Sequence, residues 1–147
     1  MHRNVERTYP FVGAAVSAAM WWHFEPRFPV DEKEFLAAAL SLAAILTGFI
    51  TTAKAILAAL PSDSVMRHLR RSGYLEDLLA YLAHAIYGCL LFSLYCLFGF
   101  FLLDTIKTPV PRWFAVIWTG LGVFAGLAFF RISRLLFRII RNNPPAE

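Results

Sequence analysis

The sequence predicts an all-α integral membrane protein, a four-helix bundle whose helix ends extend into the cytoplasm. Three observations predict it. Hydrophobic residues make up 59% of the 147-residue chain and charged residues only 16%, against about one quarter charged in an ordinary soluble domain. Four stretches, 9–24, 35–53, 85–103 and 113–130, contain no Asp, Glu, Lys or Arg. The basic residues gather in alternate connections between those stretches. Mean hydropathy is +0.57, which excludes intrinsic disorder as firmly as it argues against a water-soluble fold. The net charge of +4 could suggest nucleic acid, but the placement of the basic residues accounts for it by topology alone.

The last three stretches measure about 27 to 29 Å as helix, close to the thickness of a hydrocarbon core. The first has 16 residues and contains Pro10, a length that also fits a signal-peptide core or a segment lying in the interface. Pro10 suits a first helical turn, where a missing N–H costs nothing, so the stretch is read as a short fourth span. The expected spans of this single transmembrane domain, 1–147, are therefore 9–24, 35–54, 85–103 and 113–130, with a collar at 55–84 and 131–147. The second helix should run on past Lys54 until Pro61 stops it. Ser62 or Asp63 can cap a short helix ending at Gly73. Leu75, Leu78, Leu79 and Leu82 recur at helical spacing and predict an amphipathic start to the next helix, with Glu76 and Asp77 at its positive end. The last helix should continue to about Arg141, where Asn142, Asn143, Pro144 and Pro145 end it.

Charge sets the orientation. Arg3, Arg7, Lys54, Arg67, Arg70, Arg71, Arg131, Arg134, Arg138 and Arg141 fall on one side, against Arg27, Lys33, Lys107 and Arg112 on the other. Basic residues are retained on the cytoplasmic side, so both termini are expected there, in a bacterial inner membrane. Trp21, Trp22 and Trp113 fall at the outer boundary and Tyr9 and Tyr74 at the inner one, as interfacial aromatic belts do.

Arg131, Arg134, Arg138 and Arg141 are spaced 3, 4 and 3 apart, which confines them to an arc of about 80° on one helix. With Arg67, Arg70 and Arg71 they form a basic face. It reads as snorkelling toward anionic lipid headgroups, or as a docking face for a cytoplasmic protein partner. A voltage sensor would need its arginines inside the span, and these lie beyond it. Small residues form a second pattern: Ser41, Ala44, Gly48 and Thr51 in the second span, continued by Ala55 and Ala59, and Ala115, Thr119, Gly122 and Gly126 in the fourth. Lipid provides no hydrophobic drive for helices to pair, so close approach through small side chains must do it. These stripes are either packing faces within one subunit or a seam between copies. The third span carries bulky Leu90, Leu91, Phe92, Leu94, Leu97, Phe98, Phe100 and Phe101, expected to face lipid or a thick apolar interface.

An ion-coupled transporter needs an ionisable group near the midplane, and the four stretches hold no such acid or base. His23 and His84 fall at opposite boundaries and cannot share a metal. Cys89 and Cys96 sit about 10 Å apart on one helix, too far to pair; they read as small apolar fillers. No phosphate loop, HExxH, CxxC or nucleophile elbow is present, and His68 has neither an acid nor a nucleophile at helical spacing. The expectation is a protein without enzymatic activity, metal or cofactor, whose partners are the bilayer, its own copies and a possible cytoplasmic protein, and not nucleic acid.

Two functions of different class fit. One is a homo-oligomeric effector that perturbs or permeabilises the membrane under control of the basic face. The other is a non-conducting anchor or scaffold subunit that docks a partner there. Ser41, Thr47, Thr51 and Thr52 are the only residues that could make a polar stripe for a pore. The layout of a short first span, Gly48-Phe-Ile-Thr-Thr-Ala-Lys54, Leu69-Arg-Arg-Ser-Gly-Tyr74 and Leu75-Glu-Asp-Leu-Leu-Ala-Tyr-Leu82 resembles small four-span bacterial membrane proteins of anti-phage defence loci. That resemblance covers about residues 35–103 and transfers no functional residue. It implies a membrane effector or sensor governed by a cytosolic partner.

Overall fold

The computed structural model describes residues 3–24, 26, 28–59, 74–105 and 110–141. They form helices α1 (Arg3–Phe24), α2 (Glu32–Ala59), α3 (Tyr74–Thr105) and α4 (Arg112–Arg141), with no strand among the described residues. The short helix expected between Pro61 and Gly73 lies outside them. Windows at Glu32–Ile56, Leu78–Thr105 and Arg112–Phe137 are long and apolar enough to cross a bilayer, which points to a membrane protein. Helix α1, at 22 residues, is long enough but falls outside that apolar set.

Helix starts follow local chemistry. The Asp31 carbonyl accepts the Phe35 N–H at 3.0 Å, while Glu32 and Glu34 place negative charge in the first turn of α2. Pro111 opens α4 in the same way, its carbonyl accepting the Phe114 and Ala115 N–H groups. Helix α1 departs from expectation: it begins at Arg3, so Pro10 falls inside it and not in its first turn. An interior proline forfeits one ladder hydrogen bond. Proline is tolerated in membrane helices where neighbouring groups re-satisfy the freed carbonyl, and here Pro10 is fully buried.

Helix α1 packs along α4, α4 along α3, and α3 along α2, with a lighter touch between α2 and α4. Among the described residues α1 makes no backbone contact with α2 or α3. The bundle is therefore an open row with α3 and α4 at its centre. Its core lies on lines of seven-residue recurrence: Leu36, Ala43 and Ile50 on α2, and Leu78, Leu82, Ala85, Cys89, Phe92 and Cys96 on α3. Alternating steps of four and three are the pattern by which helices pack at shallow left-handed angles.

Close approach between helices depends on glycine where α2, α3 and α4 meet. A Cβ built on Gly99 of α3 would stand 2.6 Å from Phe114 Cζ of α4 and 2.9 Å from Leu36 Cδ1 of α2, so three helices meet over a missing side chain. Phe114 is fully buried there and stacks on Tyr95 at 4.8 Å between ring centroids. Where α1 meets α4, Gly120 faces the Ala18 Cβ and the Ala14 carbonyl. The far side of α3 is apolar and open, with Leu90, Leu91, Leu94, Leu97, Phe98 and Phe101 all exposed. Phe92, grouped with these in the sequence reading, turns inward instead and packs against Trp118 and Gly122.

The end of the bundle that carries the α1–α2 connection is tied by polar contacts. Arg112 donates to the Trp22 carbonyl and lies over the Trp22 ring at 4.1 Å. Glu32 accepts from the Val110 N–H at 3.4 Å, and Lys33 pairs with Asp104 at 3.3 Å.

Candidate functional site

Two features of the bundle stand apart from simple packing. The first is at the opposite end, where the arginine stripe begins. The structure divides that stripe. Arg131 is only 5% exposed, with its guanidinium carbon 4.1 Å from the centroid of the Tyr81 ring on α3. One turn on, Arg134 is exposed and lies 6.0 Å from the Phe130 ring of its own helix. Arg138 and Arg141 belong to the last turns of α4, and their side chains, like all of Arg67, Arg70 and Arg71, lie outside the described residues. Arg131 is thus part of the helix interface, while the reading of an open basic face holds only for Arg134 among the described side chains.

A charged group inside an apolar bundle must be compensated, because desolvating it is expensive. The Tyr81 ring supplies part of this by presenting its negative face to the guanidinium, worth about 2 kcal/mol or more when water is excluded. Beside the pair is a cleft of about 160 Å³ lined by Phe11, Tyr81, His84 and Arg131. His84 sits at its rim and shares a 2.6 Å hydrogen bond between Nδ1 and the Ala80 carbonyl; a carbonyl only accepts, so Nδ1 is the donor of that bond. Phe11 closes the α1 side, edge-on to His84 at 6.5 Å and 4.9 Å from Phe124.

The second feature is the small-residue stripe of α2. Ser41, Ala44, Gly48, Thr51 and Ala55 are all exposed, and a Cβ on Gly48 would meet nothing within 4 Å. This stripe is about 120° around the helix from the buried Leu36, Ala43 and Ile50. Its hydroxyls turn back on their own helix: Ser41 donates to Ala37 at 2.9 Å, Thr51 to Thr47 at 2.8 Å and Thr52 to Gly48 at 2.9 Å. The matching stripe of α4 is used differently. Ala115 is buried, and Gly122 lies under Phe92, a Cβ there standing 3.1 Å from the ring. The Thr119 hydroxyl is buried without a hydrogen-bond partner, and Gly126 is exposed.

The two remaining chemical groups have structural settings. Cys89 and Cys96 are free and buried on the α3 core line, where Cys96 Sγ accepts from Trp118 Nε1 at 3.3 Å. His23 stacks edge-on with Phe24 at the far end of α1. Among the described residues no three His, Cys, Asp or Glu side chains are gathered as a metal site. The sequence reading missed Tyr81, His84 and Phe11 as neighbours of Arg131. The signal available for them was the shared helical register of Tyr81 and His84, three residues apart near the start of the third apolar stretch. Comparison with protein-family models, with curated proteins and with solved structures returned no match for this chain.

Proposed function

We propose that the chain is a multi-pass protein of a bacterial inner membrane, both termini cytoplasmic, that self-associates through the small-residue face of α2 and acts by perturbing or permeabilising its bilayer. The observation that carries this reading is the exposure of Ser41, Ala44, Gly48, Thr51 and Ala55 along one line of a helix that is otherwise packed or bulky. Leu42, Ile45 and Ile56 cover the lipid-facing part of the same helix. A face of small side chains left uncovered lets a second backbone approach closely, the condition under which membrane helices associate without a hydrophobic drive. Helix α1 would serve as the fourth crossing. Arg134 and the stripe beyond it would give a cytosolic partner or anionic headgroups a handle on the assembly, and the resemblance to proteins of anti-phage defence loci favours an effector role.

A second reading, the non-conducting scaffold, is favoured by the hydroxyls of that same face. Each of Ser41, Thr51 and Thr52 already donates to its own helix, which leaves a shared seam only weakly polar. One experiment separates the readings. The protein is purified in detergent, its mass measured, and the same sample placed in dye-loaded liposomes. An oligomer that releases dye supports the effector; an oligomer that leaves liposomes intact at high protein load supports the scaffold. A single subunit at all concentrations overturns self-association.

A further inference from the structure

We propose that Phe28 is a removable wedge at the α1–α2 end of the bundle: seated, its ring joins α1 to α2 across α4; withdrawn, it lets the two helices part and uncovers the core at Trp118 and Cys96. This rests on packing alone and is independent of the proposed self-association and permeabilisation. Among the described residues α1 and α2 have no backbone contact with each other. The polar ties described at that end do not join them either: Arg112 links α4 to α1, Glu32 links α2 to the segment before α4, and Lys33 links α2 to α3. Phe28 does join them. Its ring lies edge-on 6.4 Å from Trp21 of α1, 5.6 Å from Phe35 of α2 and 5.6 Å from Trp118 of α4, at separations where aromatic pairs attract.

Position makes this ring a wedge. Phe28 is half-buried, lies outside the helices and is followed by the exposed Pro29 and Val30, so it can leave its seat without breaking a helix. Below the seat a groove runs along α4 between its two neighbours. Helix α4 meets α2 through Trp118 and Phe129, which lie against Phe35 and Phe49, and meets α1 through Gly120, which faces Ala18. The face between those lines carries Thr119 and Gly126, about 80–100° around the helix from Trp118. Gly126 is exposed, with open space where a Cβ would stand. The Thr119 hydroxyl, about two turns nearer the wedge, is buried without a partner. The groove is thus open at Gly126 and closed at the level of Phe28.

Trp118 is the next ring inward. It is held by Phe28, Phe35 and Phe92, and its Nε1 donates to the fully buried Cys96 Sγ at 3.3 Å. Withdrawing Phe28 takes away one of those three rings, which frees the indole to turn and leaves Cys96 as the first core group uncovered. Cys89 is as deeply buried, lies about 10 Å farther along α3, and has no contact with Trp118 or Phe28 among those described. Opening at the wedge therefore exposes Cys96 alone, whereas global unfolding exposes both thiols together.

The test uses the full chain in mild detergent, with N-ethylmaleimide as the probe and its rate of addition to each native thiol resolved by fragment mass spectrometry. In the wild type Cys96 should react about tenfold faster than Cys89, because local opening is more frequent than global unfolding. Phe28→Ala should speed Cys96 by about a further tenfold and leave Cys89 unchanged, the mark of a local opening. Phe28→Tyr keeps the ring and should react as the wild type does. The wild-type ratio keeps the test decisive where Phe28→Ala does not fold. Equal rates for the two thiols in the wild type, an unchanged Cys96 in Phe28→Ala, a parallel rise of Cys89, or a Phe28→Tyr protein as reactive as Phe28→Ala would each overturn the proposal. Neither subunit number nor dye release enters this readout, so its outcome is separate from that of the proposed function.

Discussion

Replacing Gly99 by alanine should weaken the bundle at the point where α2, α3 and α4 converge. The added Cβ would stand 2.6 Å from Phe114 Cζ and 2.9 Å from Leu36 Cδ1, against a comfortable carbon–carbon separation of about 3.5–4.0 Å. The neighbours must therefore retreat by about 1 Å. Phe114 has little freedom to do so, being fully buried and stacked on Tyr95 at 4.8 Å, and Leu36 is fully buried as well. Overpacking of this kind costs about 1–3 kcal/mol, while the gain in helix propensity from glycine to alanine offsets about 1 kcal/mol at most. The net is a loss of about 0–2 kcal/mol for Gly99→Ala, and Gly99→Val, with two further carbons in the same place, should clearly exceed it. The assay is built into the protein: Cys89 and Cys96 are free and buried on the same helix, so a thiol-reactive fluorogenic dye reports unfolding in detergent as they become accessible. Gly126→Ala, away from the α2 face, is the control, because its Cβ enters open space. The melting temperature should fall by several degrees for Gly99→Val, less for Gly99→Ala, and hold for Gly126→Ala. A Gly99→Val protein that melts with the wild type, or that falls no further than Gly126→Ala, would refute the three-helix contact.

Other consequences are equally concrete. The double variant Ala44→Leu with Gly48→Leu should reduce an oligomer to single subunits by light scattering in detergent, and because both positions are exposed within the subunit, those single subunits should keep the helix content of the wild type by circular dichroism. Asp104→Asn should shift the melting temperature by less than a degree or two, since its 3.3 Å pair with Lys33 joins side chains that are 82% and 59% exposed and such pairs contribute about 0–1 kcal/mol. Arg112→Gln should cost more, about 1–2 kcal/mol by the same thermal assay, because it removes both a charge-assisted bond to the Trp22 carbonyl and the cation over the Trp22 ring.

The helices were legible in the sequence because uninterrupted apolar runs and terminating prolines leave few alternatives. The continuation of α2 to Ala59 and of α4 to Arg141 followed from the same signals. The packing of α3 was not legible. Every position from Ala85 to Leu103 is uncharged and most are apolar, so the buried line of Ala85, Cys89, Phe92 and Cys96 has no polar counter-face to mark it. Pro10 misled for a related reason: proline punctuates helices in water, but α1 runs through it from Arg3. The arginine stripe was legible only as an arc of about 80°, wide enough for its first member to turn under Tyr81 while its second stays open. Helical spacing places residues on a face; it does not say which neighbouring helix covers the edge of that face. The small-residue stripes were visible on both helices, but only the arrangement in space separates α2, where the stripe is uncovered, from α4, where Ala115 and Gly122 are used within the subunit.

The central claim, that these helices cross a bilayer with both ends of the chain inside, is tested most directly by cysteine labelling in intact spheroplasts. One variant carries Val30→Cys, in the α1–α2 connection where that residue is 97% exposed, and another carries Ala146→Cys near the C-terminus; the native thiols, being buried, contribute little background. A membrane-impermeant maleimide should label Val30→Cys at once and Ala146→Cys only after the membrane is opened. Labelling of Ala146→Cys in intact spheroplasts, or recovery of either variant in the soluble fraction without detergent, would contradict the account.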